Sequence, residues 1–184
     1  MPIPNFDANS VLPPHLGDPR LPQELSPYPC SCTELCDRFG TSAERVTILR
    51  GLIQLRAELR QHGMTKAFQW IDGSFLEDIE VSEGRPPRDI DVVTFYWSPD
   101  PNFTQNLIAA FPDLVNRAAI KANFHTDHFP VDAGFHPQTT IEFTRYWAGL
   151  FSHNRNSIWK GMLKIDLDTQ PDDLAAEALL ANRP

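Results

Sequence analysis

Two aspartates, Asp89 and Asp91, have the residue type and spacing that metal-dependent chemistry needs. They open an apolar run, residues 92–96, whose β-branched and aromatic side chains predict a strand. Because side chains alternate along a strand, both carboxylates lie on one face, close together. Like charges repel at that distance unless a cation lies between them, and a hard divalent ion such as Mg²⁺ prefers carboxylate oxygens. The pair therefore predicts a divalent-cation site.

A Gly73-Ser74 turn lies upstream of this pair, at the end of an earlier apolar run. Glycine allows the backbone to approach a phosphate closely, and the N-terminus of a following helix favours an anion. A plain strand-to-helix turn is the simpler interpretation of these two residues alone. Combined with the aspartate pair, the turn predicts nucleotide chemistry.

The segment from Trp70 to Tyr96 resembles the signature of the polymerase beta-type nucleotidyltransferase superfamily. That signature is an apolar residue, Gly-Ser or Gly-Gly, a spacer, and then Asp-x-Asp in an apolar strand. Here it reads Ile71-Asp72-Gly73-Ser74-Phe75 and then Arg88-Asp89-Ile90-Asp91-Val92-Val93, with a slightly longer spacer than is usual. A weaker similarity over most of the chain, carried by Leu12-Pro13-Pro14 and by residues 155–161, is to small stand-alone bacterial and phage members of the superfamily.

The resemblance implies an enzyme that moves a nucleoside monophosphate from an NTP, with ATP as the expected donor, to a hydroxyl. The acceptor would be a protein, an RNA end, a nucleotide or a small molecule, and the setting implied is a toxin–antitoxin or phage-defence system. Asp89 and Asp91 would bind Mg²⁺ or Mn²⁺, and Gly73 and Ser74 would hold the phosphates. The alternative is a non-catalytic module on the same fold, an antitoxin or regulator that binds a nucleotide or a protein partner.

A third carboxylate is implied on a neighbouring strand, and two aspartates compete for that position. Asp127 lies in the middle of the predicted strand over residues 124–131, whereas Asp132 follows its end. Asp127 is preferred as the third catalytic and metal-binding carboxylate, because a mid-strand position can align with the Asp89–Asp91 pair. His125, Asp127 and His128 could instead form a separate transition-metal site.

Cations are needed to balance the phosphates of a nucleotide. Arg88 immediately precedes the aspartate pair, and Lys160 lies at a loop-to-strand junction, so both are predicted to bind phosphate. Arg145, Arg155 and Lys121 are further candidates. Each of these cations could equally be a surface charge or an ion-pair partner.

The composition and net charge of the chain argue against several classes of protein. A chain of 184 residues with 41% apolar content fits one globular domain with a substantial core. The net charge of −8 argues against extended binding along a nucleic-acid backbone, which requires a basic surface. No apolar run approaches the roughly 20 residues of a membrane span, and the N-terminus lacks a signal-peptide pattern, so a cytoplasmic protein is expected.

The mix of few predicted strands and several predicted helices implies an α+β fold. The resemblance implies that this fold is nucleotidyltransferase-like, with a small mixed sheet packed against several helices. Residues 1–29, rich in proline, are predicted to be extended and to pack on a single domain over residues 30–184. Strands are expected over residues 67–71, 89–97, 124–131 and 160–167. Helices are expected over residues 33–39, 75–79, 103–111, 112–121, 139–151 and 172–180, and over a stretch with Thr41 and Glu44 as a capping box that ends near His62. The apolar set of the helix over residues 139–151 is Ile141, Phe143, Tyr146, Trp147 and Leu150.

Three cysteines, Cys30, Cys32 and Cys36, lie close together in the sequence. They could hold zinc with His15 as a fourth ligand, but structural zinc sites space their ligands differently. Ordinary thiols near a helix start are the preferred interpretation.

Overall fold

One mixed sheet organises the protein, for which a computed structural model describes residues 3–184. Within these residues five strands have the order β1-β5-β2-β3-β4. Strand β2 is antiparallel to both β3 and β5, whereas β3 runs parallel to β4, and β1 parallel to β5. The strands are β1 (Tyr28–Pro29), β2 (Ala67–Asp72), β3 (Ile90–Tyr96), β4 (Thr126–Asp132) and β5 (Leu163–Asp166).

Seven α-helices accompany the sheet within the same residues, so the predicted α+β class is confirmed. None of these helices is both long enough and apolar enough to cross a membrane. Short 3-10 turns lie at Pro22–Glu24, Ser74–Leu76 and Pro112–Val115. The helices are α1 (Cys32–Phe39), α2 (Ala43–Gln61), α3 (Ile79–Ser82), α4 (Phe103–Ala110), α5 (Arg117–Phe124), α6 (Pro137–Phe151) and α7 (Gln170–Leu180).

The capping of the first two α-helices differs from the prediction. The capping box lies at α1, where the Ser31 side chain accepts from the Glu34 N–H and the Glu34 carboxylate accepts from the Ser31 N–H. Helix α2 begins one residue later than expected, because Ser42 rather than Thr41 accepts the Arg45 N–H. The starts of the first two α-helices are therefore fixed by serine hydroxyls.

One face of the sheet is covered by α1, α2, α4, α5 and α7, which form the larger part of the core. Gly51 on α2 allows the closest approach in this layer, since a Cβ there would overlap the backbone carbonyl of Phe124 at the end of α5. The chain of α5 is thus held against α2, and α5 leads directly into β4.

A buried polar network crosses this layer. Arg56 of α2 is fully buried and donates to Asp173 of α7 and to Gln69 of β2. Gln69 in turn donates to Thr94, whose hydroxyl lies 2.7 Å from His128 Nε2. Because each charge has a partner, the network ties α2 and α7 to three strands.

Helix α6 lies on the opposite face of the sheet. Trp147 and Phe151 are buried there against Val93 and Phe95 of β3. Of the five residues in the predicted apolar set of this helix, only Trp147 is buried. The other four are largely exposed to solvent: Ile141, Phe143, Tyr146 and Leu150.

The proline-rich N-terminal segment, of which residues 1 and 2 lie outside the described residues, packs along the core. Leu12 is buried, and its carbonyl accepts from the Gly161 N–H, while the Ser10 carbonyl accepts from the Asp78 N–H. These two bonds join the segment that follows Gly73-Ser74 to the segment that follows Lys160. The N-terminal segment therefore holds together two loops that flank the candidate site.

Candidate functional site

Three aspartates lie side by side across three adjacent strands. Asp91 of β3 is opposite Asp72 of β2 and opposite Asp127 of β4 in the strand register. Register partners on neighbouring strands face the same side of a sheet, so the three carboxylates share one surface. Asp132 is opposite Tyr96 at the other end of β4 and accepts from the Thr104 hydroxyl at 2.6 Å. Of the two competing aspartates, Asp127 is therefore the one that lies beside the pair.

Two cations from α5 contact these carboxylates. The Arg117 guanidinium forms a two-pronged ion pair with Asp127, and Lys121 pairs with Asp89, which lies just before β3. Residues four apart lie on one helical face, so Arg117 and Lys121 face the cleft together. These ion pairs raise the pKa values of both cations above their ordinary values. Sequence reasoning missed Arg117, although its spacing from Lys121 just before a strand was a usable signal.

Asp91 has no ion-pair partner among residues 3–184. Burial, together with the charges of Asp89 and Asp127, raises the pKa of Asp91 to about 6. The ionised form is disfavoured because the carboxylate is both partly desolvated and surrounded by like charge. A cation placed at Asp91 would relieve this repulsion.

The Gly73 turn is shaped by its contact with Asp91. Gly73 has φ 90° and ψ −175°, a backbone conformation that only glycine adopts readily. A Cβ at this position would also overlap the Asp91 carboxylate. Ser74 lines the cleft but begins a 3-10 turn, not the helix predicted over residues 75–79. The turn therefore places the backbone of Gly73 against the Asp91 carboxylate. No regular helix N-terminus follows it directly.

Lys160 lies behind this turn and is 2% exposed. Its Nζ lies 2.9 Å from Asp72 Oδ1, 3.0 Å from Glu77 Oε1 and 3.1 Å from the Gly73 carbonyl. Glu77 and the Gly73 carbonyl accept hydrogen bonds from this ammonium, whereas Asp72 is an ion-pair partner without hydrogen-bond geometry. Desolvation lowers the pKa of Lys160, but the charges of Asp72 and Glu77 outweigh it and raise that pKa. Burial raises the pKa of Asp72 to about 7, with Lys160 opposing that rise.

The other predicted cations lie in different places. Arg88 is exposed and lies outside the cleft lining, as does Arg145 on the outer side of α6. Arg155 does line the cleft, as does Arg85, which was not predicted. Arg88 lies before β3, which begins at Ile90, and its side chain does not share the cleft with those of Asp89 and Asp91.

The cleft has a volume of about 460 Å³ and two unlike sides. Six carboxylates and five lysine or arginine cations line the charged side: Asp72, Glu77, Glu83, Asp89, Asp91 and Asp127, with Arg85, Arg117, Lys121, Arg155 and Lys160. The apolar side consists of Phe129 from β4 and of four residues from α6: Tyr146, Trp147, Leu150 and Phe151. Sequence reasoning did not assign this apolar side to the site.

Within the described part of the chain, no group of three or more His, Cys, Asp and Glu side chains is arranged to hold a metal ion. His125 caps the end of α5 with φ 51°, whereas His128 is buried on the opposite face of the sheet, so they do not converge on Asp127. Burial lowers the pKa of His128 to about 4. Cys32 and Cys36 are buried free thiols in the core.

The part of the sequence that forms the cleft matches a known protein family. Residues 4–166 match a family described as a family of unknown function, DUF6932. The chain belongs to this family. The DUF6932 region contains every residue that lines the cleft. No curated protein and no solved structure matched the chain. The function therefore has to be argued from the chemistry of the cleft itself.

Proposed function

We propose that the protein is a metal-dependent nucleotidyltransferase that moves a nucleoside monophosphate from an NTP to a hydroxyl acceptor. The observation that carries this proposal is the alignment of Asp91 with Asp127 across β3 and β4, with Gly73 packed against the Asp91 carboxylate. The backbone at Gly73, which a phosphate could approach closely, therefore lies directly beside a row of carboxylates. The nucleotidyltransferase-like fold implied by the sequence resemblance is part of this proposal.

The donor set suits Mg²⁺ or Mn²⁺. Asp89, Asp91 and Asp127 offer only oxygen ligands, which hard divalent cations prefer. In the structure they are not arranged as a metal site, because Arg117 and Lys121 pair with Asp127 and Asp89, so a bound cation would have to replace these two ion pairs. The raised pKa of Asp91 reflects, beside burial, the repulsion among these carboxylates as they stand. A metal bound by the three aspartates would supply charge neutralisation for a phosphate and would favour ionisation of an attacking hydroxyl.

Arg117 and Lys121 supply the cationic groups for the phosphates. Both side chains are about half exposed, so they can change partners without leaving a buried charge unpaired. In the structure they neutralise Asp127 and Asp89. If a divalent ion were held by these carboxylates, the guanidinium and the ammonium would be free to bind phosphate oxygens, which arginine does in a two-pronged way.

The remaining residues have supporting roles. Gly73 lets the backbone come close to the ligand, and Lys160 fixes the turn through Asp72, Glu77 and the Gly73 carbonyl. Asp127 lies at the β4 side of the site, where it can accept a proton from an acceptor hydroxyl. Lys160 is thus proposed to position the turn, because it is buried behind the turn and already paired with two carboxylates.

A non-catalytic nucleotide-binding or partner-binding module on the same fold is the second candidate. The ion pairs Lys121–Asp89 and Arg117–Asp127 favour it, because they leave two of the three carboxylates satisfied without a metal. In that case a nucleotide would bind through Arg117 and Lys121 and would not turn over.

The test is a titration of each NTP, with Mg²⁺ or Mn²⁺, into the wild type and into Asp89→Asn/Asp91→Asn. Asp132→Asn is the matched control, since Asp132 lies on the same sheet but at the far end of β4. Metal-dependent binding that is lost only in the double variant supports the site. Labelled product from an α-phosphate-labelled NTP then separates transfer from mere binding. Absence of NTP binding in a folded wild-type protein would refute the enzyme and the nucleotide-binding module, and would leave only a partner-binding module.

A further inference from the structure

The apolar side of the cleft is exposed to solvent. An apolar helix face that belongs to the core would instead be covered by other side chains. Tyr146 is 52% exposed and Leu150 is 50% exposed, yet both line the cleft. They lie four residues apart on α6 and so form neighbouring points on one helical face. Exposed apolar groups inside a cleft offer a surface that the apolar part of a small molecule can cover.

Aromatic packing fixes the position of this surface. The Trp147 ring packs 4.4 Å from Phe129 and 4.9 Å from Tyr146, measured between ring centroids. Trp147 is buried against the sheet, so α6 cannot rotate without disturbing the core. Tyr146 is therefore presented to the cleft by a rigid support.

The apolar and charged sides meet at Arg117. Its guanidinium carbon lies 4.7 Å from the centre of the Phe129 ring while its nitrogens pair with Asp127. Phe129 itself follows Asp127 by two residues on the same face of β4. A ligand that fills the cleft would thus contact the carboxylates and cations at one end and Tyr146 at the other.

A nucleotide has the same two parts, an anionic phosphate chain and a flat aromatic base. We infer that the base of the donor stacks on Tyr146 and packs against Leu150, while its phosphates lie against Arg117 and Lys121. This inference rests on the proposed function and adds to it the residues that recognise the base. Stacking of a base on an aromatic side chain depends on the ring face and gives a large share of affinity.

The experiment compares ATP with inorganic tripolyphosphate, which has the phosphates without the base, by calorimetry in the presence of Mg²⁺. The wild type is expected to bind ATP more tightly than tripolyphosphate. Tyr146→Ala is expected to weaken ATP binding by roughly 5- to 100-fold and to leave tripolyphosphate binding unchanged. Tyr146→Phe keeps the ring and is expected to bind ATP as the wild type does.

Ile141→Ala is the matched control, because Ile141 is an exposed apolar residue of α6 that does not line the cleft. It is expected to bind both ligands as the wild type does. Equal affinity of the wild type for ATP and tripolyphosphate, or unchanged ATP binding by Tyr146→Ala, overturns the base-stacking inference while the phosphate site stands. Binding of neither ligand overturns the proposed function, and the inference with it.

Discussion

Asp91 and Asp127 are register partners on neighbouring parallel strands, but only Asp127 has a cationic partner within residues 3–184. Asp127 is neutralised by Arg117. Asp91 lies near the carboxylates of Asp89 and Asp127, and the pKa of Asp91 is raised. An arrangement of this kind costs folding free energy and is retained where a site needs the charge. It leads to a prediction that separates a functional from a structural role for Asp91.

Asp91→Asn is expected to stabilise the folded protein by about 1–3 kcal/mol at pH 8. The carboxyl pKa is higher in the folded state, about 6, than in an unfolded chain. Between about pH 4 and pH 6 the folded state therefore binds more protons, and the contribution of Asp91 to stability falls as pH rises.

The gain from Asp91→Asn should accordingly shrink towards zero near pH 4. Urea denaturation of the wild type and the variant at pH 4, 6 and 8 measures this gain. Buried His128 has the opposite pH dependence, but it is the same in both proteins and cancels in the difference between their free energies of unfolding. A variant that is less stable than the wild type at pH 8 would show that Asp91 has a structural role. Nucleotide binding should be lost at every pH.

Gly73→Ala is expected to cost about 3 kcal/mol or more of folding stability. Two causes add together, because the backbone conformation is restricted to glycine and a Cβ would overlap the Asp91 carboxylate. Gly84→Ala separates these causes, since Gly84 has φ 67° but a Cβ added there would have no neighbouring atom within 4 Å. It is expected to cost about 1–2 kcal/mol. Thermal unfolding of the two variants compares them, and equal costs would contradict the contact with Asp91.

Lys160→Met is expected to cost about 3–5 kcal/mol at pH 8, because it leaves Asp72 and Glu77 partly buried without their cation. Lys121→Met removes an ion pair that is about half exposed and should cost less than about 1 kcal/mol. The deficit of Lys160→Met should shrink at pH 5, since the raised pKa of Asp72 lets that carboxyl become neutral. Denaturation at both pH values tests this, and similar costs for the two lysines would refute it.

Local patterns were enough to predict the elements that carry the site. The apolar runs after Asp91 and before Gly73 predicted β3 and β2. The strand predicted over residues 124–131 placed Asp127 on β4, but β4 begins at Thr126, so Asp127 is its second residue and not a mid-strand one. Strand β1 was missed because it has only two residues, one of them Pro29, and depends on β5 for its pairing. A strand that short has no periodicity of its own.

The partners of the site residues could not be predicted, because they depend on register and orientation. Lys160 was predicted to bind phosphate, but the pairing of Ile71 with Leu163 places it behind the Gly73 turn. The spacing of Tyr146 and Leu150 predicted an apolar helix face without indicating what that face contacts. Arg117 reaches Asp127 only because α5 is held against α2 at Gly51.

Arg117→Gln is expected to weaken binding of Mg²⁺–tripolyphosphate by about 10-fold or more, because a hydrogen bond to a charged group contributes about 1.5–3 kcal/mol. Arg88→Gln is the matched control, as Arg88 is an exposed arginine near the same carboxylates but outside the cleft lining. The wild type should bind more weakly as salt is raised, and Arg117→Gln should show a smaller salt dependence since one charge contact is gone. Calorimetric titrations at two salt concentrations measure both effects. If Arg88→Gln weakened binding more than Arg117→Gln, the phosphates would lie outside the cleft. The proposal that Arg117 exchanges Asp127 for a phosphate would then be wrong.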